Sequence, residues 1–259
     1  MKYLLPYTYG LGTRAKGFFY KVSFIAIILL PMFLAYPVIN RCMPNFQYVI
    51  SFVIAFTGFY TIYENGYITN DYLTTRFESN PVIRLEDPDR KIEKKSEIYK
   101  AVRVLYSFCC CYVLWKYYGV NILAFASCLV IMNFVYSIHN YARGVWNIPT
   151  IFCLEIMKYI TVQAAFLTGY DYAVYCIAVI ICFSLERSIT YSLQRRLKIK
   201  YNEDLVRLLY YCITTVVGFI LLFVFENRIF LFYSIYMLLF RASCFIFTKI
   251  YDVKKIRKD

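Results

Sequence analysis

Runs of about 20 mostly apolar residues recur along the whole chain, and they constrain its fold more than any other feature. An α-helix rises ~1.5 Å per residue, so a run of this length crosses the ~30 Å hydrocarbon core of a bilayer. Hydrophobic residues fill 61% of the 259 positions and charged residues 17%. That is too little polar surface for a water-soluble globule of this size. The sequence therefore predicts an all-α, multi-pass transmembrane helical bundle.

The apolar runs predict about eight helices, with nine as the upper count. They are expected at 18–38, 46–69, 99–117, 121–138, 148–169, 172–190, 205–225 and 229–248. No linker or low-complexity tract divides the chain. Residues 1–259 are therefore expected to form a single integral-membrane domain.

The basic residues predict the orientation of the helices. If both termini are cytoplasmic, 23 of the 29 Lys and Arg residues fall in cytoplasmic segments, and Arg41, Lys116 and Arg228 lie on the opposite side. This is the positive-inside bias of proteins in a cell membrane. The other three basic residues, Lys158, Arg207 and Arg241, lie inside or at the ends of helices. The net charge of +13 is concentrated in short loops at one membrane face. Lipid headgroups and a phosphorylated substrate are therefore expected partners, and nucleic acid is not.

Three carboxylates are spaced for one helix face. Glu64, Asp71 and Glu78 are each seven residues apart, and seven steps of ~100° return a helical side chain to within ~20° of its starting direction. An ionisable residue such as Glu64 inside an apolar run marks a functional site by default. The alternative is a solvated helix end with Glu64 paired to another helix.

A carboxylate stripe of this kind suits a divalent cation that bridges a diphosphate. Mg²⁺ takes few protein oxygens and leaves its other positions to phosphate and water. Arg84 follows Asp71 by thirteen residues, and a guanidinium pairs well with phosphate oxygens. An ordinary loop arginine is the alternative for Arg84.

Residues 66–72, followed by Glu78, Asn80, Pro81 and Arg84, resemble the first aspartate-rich motif of the UbiA-type intramembrane prenyltransferases. Asn70 and Asp71 match the motif, Glu78 replaces an aspartate, and Thr74 stands where the family has a middle acid. The resemblance implies a UbiA-like fold and a transferase that uses Mg²⁺ and an isoprenoid or polyprenyl lipid. It makes Asp71 and Glu78 catalytic, with Mg²⁺ held by Asn70, Asp71 and Glu78.

The same resemblance adds residues expected to bind the diphosphate. Arg143 occupies the place of a basic segment after the family's fourth helix, and Glu186 and Tyr191 occupy the place of its second acidic motif. The full set of expected diphosphate-binding residues is Asn70, Arg84, Arg143, Glu64, Glu186 and Tyr191.

Three other polar residues have simpler expected roles. The only histidine, His139, is more typical of a hydrogen-bonded residue than of a catalyst. Glu155 and Lys158 are three residues apart in one predicted helix and are expected to form a structural ion pair. Arg241, in the last helix, is expected to snorkel or to be paired.

The expected activity is transfer of an isoprenyl group from a diphosphate donor with Mg²⁺ assistance. Two alternatives stay open. The segment around Arg84, with Glu203 and Asp204, also resembles the branch that moves a phosphoribosyl group onto polyprenyl phosphate. A member of another class, a non-catalytic lipid carrier or assembly partner, would explain the loss of an acid at Thr74.

Overall fold

The computed structural model describes residues 3–15, 17–77, 84, 93–142, 144–194 and 201–250, and all regular structure in them is helical. A short helix, α1 (Thr8–Thr13), precedes eight long ones, so the predicted all-α fold is confirmed. The long helices are α2 (Phe18–Asn40), α3 (Phe46–Tyr72), α4 (Glu93–Tyr118), α5 (Ile122–Tyr141), α6 (Asn147–Gln163), α7 (Gly169–Ser192), α8 (Glu203–Phe225) and α9 (Ile229–Ile250).

Seven helices of the described residues are long and apolar enough to cross a membrane, namely all the long ones except α6. Large apolar side chains on the outside of the bundle are exposed, among them Leu123 at 79% and Phe223 at 84%. Such a surface is unfavourable in water and suits lipid. A multi-pass membrane bundle is therefore the architecture of this chain.

Helix α6 is shorter than the predicted segment 148–169, because it ends at Gln163. The carbonyl of Ala165 accepts a hydrogen bond from the backbone N–H of Asn121 (3.0 Å), at the start of α5. This contact places the end of α6 beside the start of α5. Although α6 has only 17 residues, it runs antiparallel to α5 and reaches the end of the bundle at which α5 begins.

Local sequence explains several helix starts. Asn45, Asn121 and Asn202 precede α3, α5 and α8, and each side-chain oxygen accepts a hydrogen bond from the backbone N–H three residues later. Asparagine is a preferred N-cap because it satisfies one of the free N–H groups of the first turn. Helix α3 then lies at the centre of the bundle, where it packs against α4, α5 and α6.

Two prolines inside α2 free backbone carbonyls that tyrosines then satisfy. Pro31 and Pro37 have no N–H to donate to the carbonyls of Ile27 and Phe33, four residues earlier. The hydroxyl of Tyr159 on α6 donates to Ile27 (2.9 Å), and the hydroxyl of Tyr48 on α3 donates to Phe33 (2.7 Å). These bonds tie α2 to the centre of the bundle.

A candidate lipid-phosphate cavity

A cavity of about 570 Å³ lies at one end of the bundle, which we call the basic end. The residues that line it come from α1 to α9 except α4, and Arg84 joins them from the α3–α4 connection. Its size is that of a typical ligand pocket. The cations among the lining residues are Arg14, Arg84, Lys158, Arg187, Arg207 and Arg241.

The chain segment 3–15, which we call the N-terminal segment, folds back along α3 and forms one wall of this cavity. The segment approaches α3 closely at Gly10, where a Cβ would lie 2.3 Å from the Tyr60 hydroxyl. The hydroxyl of Tyr7 bonds to Thr57 (2.7 Å), and burial raises the pKa of Tyr7 to about 12. The segment therefore contacts the apolar middle of α3 as well as its C-terminal end.

Glu64 is held by this segment and by α4. Its carboxylate accepts hydrogen bonds from the backbone N–H groups of Gly10 (2.6 Å) and Tyr7 (3.2 Å) and from Nε of Arg103 (3.1 Å). The side chains of Glu64 and Arg103 are both 0% exposed. Glu64 is thus paired to another helix, as the alternative prediction states, but it is buried rather than solvated, and it does not line the cavity.

Asp71 lies seven residues after Glu64 on α3 and is held by the same N-terminal segment. Arg14 donates to both carboxylate oxygens (2.5 and 2.8 Å), and the Tyr9 hydroxyl donates to one of them (2.9 Å). Nη1 of Arg84 is 3.7 Å from the other oxygen. Burial, helped by the charge of Asp71, raises the pKa of Tyr9, so its hydroxyl remains a donor. Burial lowers the pKa of Arg14, but the bonds to Asp71 outweigh it and raise that pKa overall.

The prediction that Glu64 and Asp71 share a helix face is confirmed, since both contact the N-terminal segment. Glu78 lies outside the described residues, so the third member of the stripe is not placed. Arg14 and Arg103 donate hydrogen bonds to the carboxylate oxygens of Asp71 and Glu64 that a metal ion would need as ligands. As arranged, Glu64 and Asp71 therefore do not fit a Mg²⁺ site, and the residues described contain no group of three or more His, Cys, Asp or Glu suited to a metal.

Asn70 lines the cavity beside Asp71. Its side chain donates to Asp71 (3.2 Å) and accepts from the Thr74 hydroxyl (3.2 Å). Thr74, which stands at the place of the family's middle acid, is thus a structural partner of Asn70. Nearby, Gly66 packs against Tyr136, because a Cβ there would lie 2.3 Å from its ring.

The part of the lining that comes from α6, α7 and α8 carries two ion-paired groups. On α6, Lys158 pairs with Glu155, which confirms the predicted structural pair, and both side chains line the cavity. Between α7 and α8, Arg207 pairs with Glu186 (2.7 Å) and with Glu203 (2.5 Å). Glu186 is therefore a partner of an arginine in the cavity wall.

The remaining predicted residues divide between the cavity and its surroundings. His139 lines the cavity, and its Nδ1 is 3.0 Å from the Thr150 hydroxyl. Tyr191 lies near the end of α7 and is not part of the lining. Arg143 lies outside the described residues.

Four arginines that the structure places in the cavity lining, Arg14, Arg187, Arg207 and Arg241, were not predicted from sequence as site residues, nor was Arg103 as the partner of Glu64. One signal was available: a buried glutamate in an apolar run needs a cation, and Arg103 lies in the first half of the next helix.

No protein-family model, no curated protein and no solved structure matches this chain.

Proposed function

We propose that this chain is an intramembrane transferase that takes an isoprenyl group from a diphosphate donor bound in the cavity at the basic end. The observation that carries the proposal is the excess of positive charge in that cavity. Six cations line it, whereas four carboxylates lie in it or are paired with its arginines. A net positive, partly buried cavity favours an anion, and guanidinium groups favour phosphate.

The rest of the lining suits an apolar tail. Phe24, Ile27, Ile28, Leu154 and Met237 contribute apolar surface within helices that are long enough to cross a membrane or that pack among them. An isoprenoid chain would gain ~25 cal/mol per Å² of apolar area that it buries there. The combination of a phosphate-binding end and an apolar wall therefore favours a phosphorylated lipid over a soluble phosphate.

The proposed chemistry uses charge stabilisation. The bond between the isoprenyl carbon and the diphosphate oxygen breaks, and its electron pair leaves with the diphosphate. A nucleophilic acceptor bonds to the carbon, and its proton passes to the departing diphosphate. The cavity cations stabilise the negative charge that develops on the leaving group. Tyr63, Tyr67 and Tyr136 line the cavity. In the proposed reaction their rings stabilise the electron-deficient carbon and exclude water from it.

The test is transfer by the purified full chain in lipid nanodiscs. Radiolabelled farnesyl diphosphate should be consumed in the presence of a mixed lipid extract that supplies acceptors, and phosphoribosyl pyrophosphate should not. Turnover of phosphoribosyl pyrophosphate onto polyprenyl phosphate would replace the proposal. Each donor is assayed with Mg²⁺ and with EDTA, which also tests the magnesium requirement inferred from the family resemblance.

A non-catalytic lipid carrier is the second candidate, and one observation favours it. Glu64 and Asp71, the two carboxylates of the predicted stripe that the structure describes, are committed to Arg103 and Arg14 and serve the packing of the N-terminal segment. A carrier needs the cationic cavity but no catalytic acid. Stable binding of farnesyl diphosphate, with no transfer from either donor in Mg²⁺, would favour the carrier over the enzyme.

A further inference from the structure

Three arginines on neighbouring helices form one wall of the cavity. Arg187 belongs to α7, Arg207 to α8 and Arg241 to α9, and these helices pack against one another. We call this group the arginine wall. It lies on different helices from Asn70 and Asp71, the two residues that the sequence motif assigns to binding of the phosphate.

Only one member of the arginine wall has its charge balanced by the residues described. Arg207 is fixed by Glu186 and Glu203. Neither Arg187 nor Arg241 forms an ion pair within the described part of the chain. The neighbouring acid Glu155 is already paired with Lys158. Arg187 is exposed on the cavity wall, where water can solvate its charge, whereas Arg241 is half-buried. Both guanidinium groups can therefore take an external anion as partner.

Arg241 gives the strongest indication that the arginine wall binds an anion. It lies within the span Ile229–Phe247, six residues before its end, which corresponds to ~9 Å along the helix. Its Nε is buried and has no hydrogen-bond partner among the described residues. An unsatisfied buried donor on a charged group is costly, and an ionisable residue within a span marks a functional site. A bound anion would satisfy this donor.

We propose that the arginine wall binds the phosphate end of a lipid directly, without a metal ion. This inference deepens the proposed function and rests on it for the lipid nature of the ligand. Arg187 and Arg241 supply free guanidinium donors, and Arg207 is held in place beside them by its two carboxylates. Planar guanidinium groups bind phosphate oxygens in pairs, so three of them can hold a diphosphate that Mg²⁺ would otherwise bridge.

The experiment measures binding of three probes to the full chain in nanodiscs containing EDTA. The probes are farnesyl diphosphate, farnesol and inorganic pyrophosphate. Farnesyl diphosphate should bind at least about ten-fold more tightly than either of the others, because it uses both the arginines and the apolar wall. Arg241→Gln and Arg187→Gln should each weaken its binding about ten-fold or more and leave farnesol binding unchanged. Arg241→Lys should weaken it less than Arg241→Gln.

Arg228→Gln is the matched control, since Arg228 is exposed at the opposite end of α9 and lines a different pocket. It should bind farnesyl diphosphate like the parent chain. Unfolding provides a second readout: without ligand, Arg241→Gln should be as stable as the parent or more stable, because a charge without a partner is removed. A marked loss of stability in Arg241→Gln would indicate a structural role and overturn the inference.

The outcomes separate the inference from the proposed function. If the parent chain and both arginine variants bind farnesyl diphosphate equally well, the arginine wall is not the phosphate site, but the proposed function stands. If binding occurs only with Mg²⁺, the metal-independent site is wrong. If the parent chain binds farnesyl diphosphate no better than farnesol, both proposals fail.

Discussion

At the scale of single residues, two carboxylates of α3 fix the N-terminal segment to the bundle: Asp71 through Arg14, and Glu64 through the backbone N–H groups of Tyr7 and Gly10. Arg14 holds Asp71 with two hydrogen bonds, and Arg103 holds Glu64. Removing one partner of a buried ion pair leaves the other charge without compensation, which typically costs ~3–5 kcal/mol. The sequence motif suggests catalysis for Asp71, whereas its contacts indicate a structural role.

We expect Asp71→Asn to lower the free energy of unfolding by ~3 kcal/mol, because the partly buried Arg14 loses its charged partner. The measurement is reversible unfolding in mixed micelles. Glu97→Gln is the control: Glu97 is exposed and, among the described residues, its ion-pair partner is Lys100 one turn away, so its loss should change stability by less than ~0.5 kcal/mol.

A double-variant cycle sharpens this test. Arg14→Gln combined with Asp71→Asn should be more stable than the sum of the two single losses predicts, because neither charge is then left alone. If Asp71→Asn instead unfolds like the parent chain but loses turnover about 100-fold, Asp71 acts on the substrate and the motif-based prediction is right.

At the scale of helices, tyrosine hydroxyls satisfy carbonyls where the backbone departs from a regular α-helix. Tyr48 and Tyr159 donate to carbonyls of α2. Tyr211 likewise donates to the Cys182 carbonyl (2.7 Å) in the π-helical segment Ile180–Leu185 of α7. A lipid-embedded carbonyl has no water to bond with, so each irregularity needs a side-chain donor. Many of the aromatic residues therefore serve helix packing.

We expect Tyr48→Phe to lower the free energy of unfolding by ~1–3 kcal/mol, because the ring remains but the Phe33 carbonyl loses its donor. Adding Pro37→Ala should recover part of this loss, since an alanine N–H at position 37 can bond to the same carbonyl. Tyr117→Phe, at an exposed position, is the control. An equal effect of Tyr48→Phe in both backgrounds would contradict the assignment.

At the scale of the whole molecule, the two ends of the bundle differ. The cavity with six cations opens at the basic end, and the opposite end carries a smaller polar pocket near Arg41 and Arg228. The distribution of Lys and Arg predicts that the basic end faces the cytoplasm. A cytoplasmic cavity would have access to phosphorylated donors made in that compartment.

Cysteine labelling of intact cells tests this orientation. Cys42 is exposed in the α2–α3 connection. In a chain whose other cysteines are replaced, it should react with a membrane-impermeant maleimide from outside. Glu97→Cys, near the start of α4, should react only after the membrane is permeabilised. Labelling of both positions from the same side would rule out the predicted topology.

The sequence by itself determined the class of fold and the positions of the eight long helices. Helix formation and membrane crossing depend on local apolar length, and the shared face of Glu64 and Asp71 follows from helical periodicity alone. The predicted end of α6 was wrong: the helix ends at Gln163, and the turn that follows it bonds through the Ala165 carbonyl to Asn121, forty-four residues away along the chain.

Only the tertiary structure decided which charges meet. The long helices are apolar around much of their circumference, so the sequence does not specify how each one is rotated towards its neighbours. That rotation pairs Glu64 with Arg103, thirty-nine residues along the chain, and Asp71 with Arg14, fifty-seven residues away. It also places Arg187, Arg207 and Arg241 on one cavity wall. Helix periodicity acts over a few turns, whereas these contacts depend on packing among distant helices.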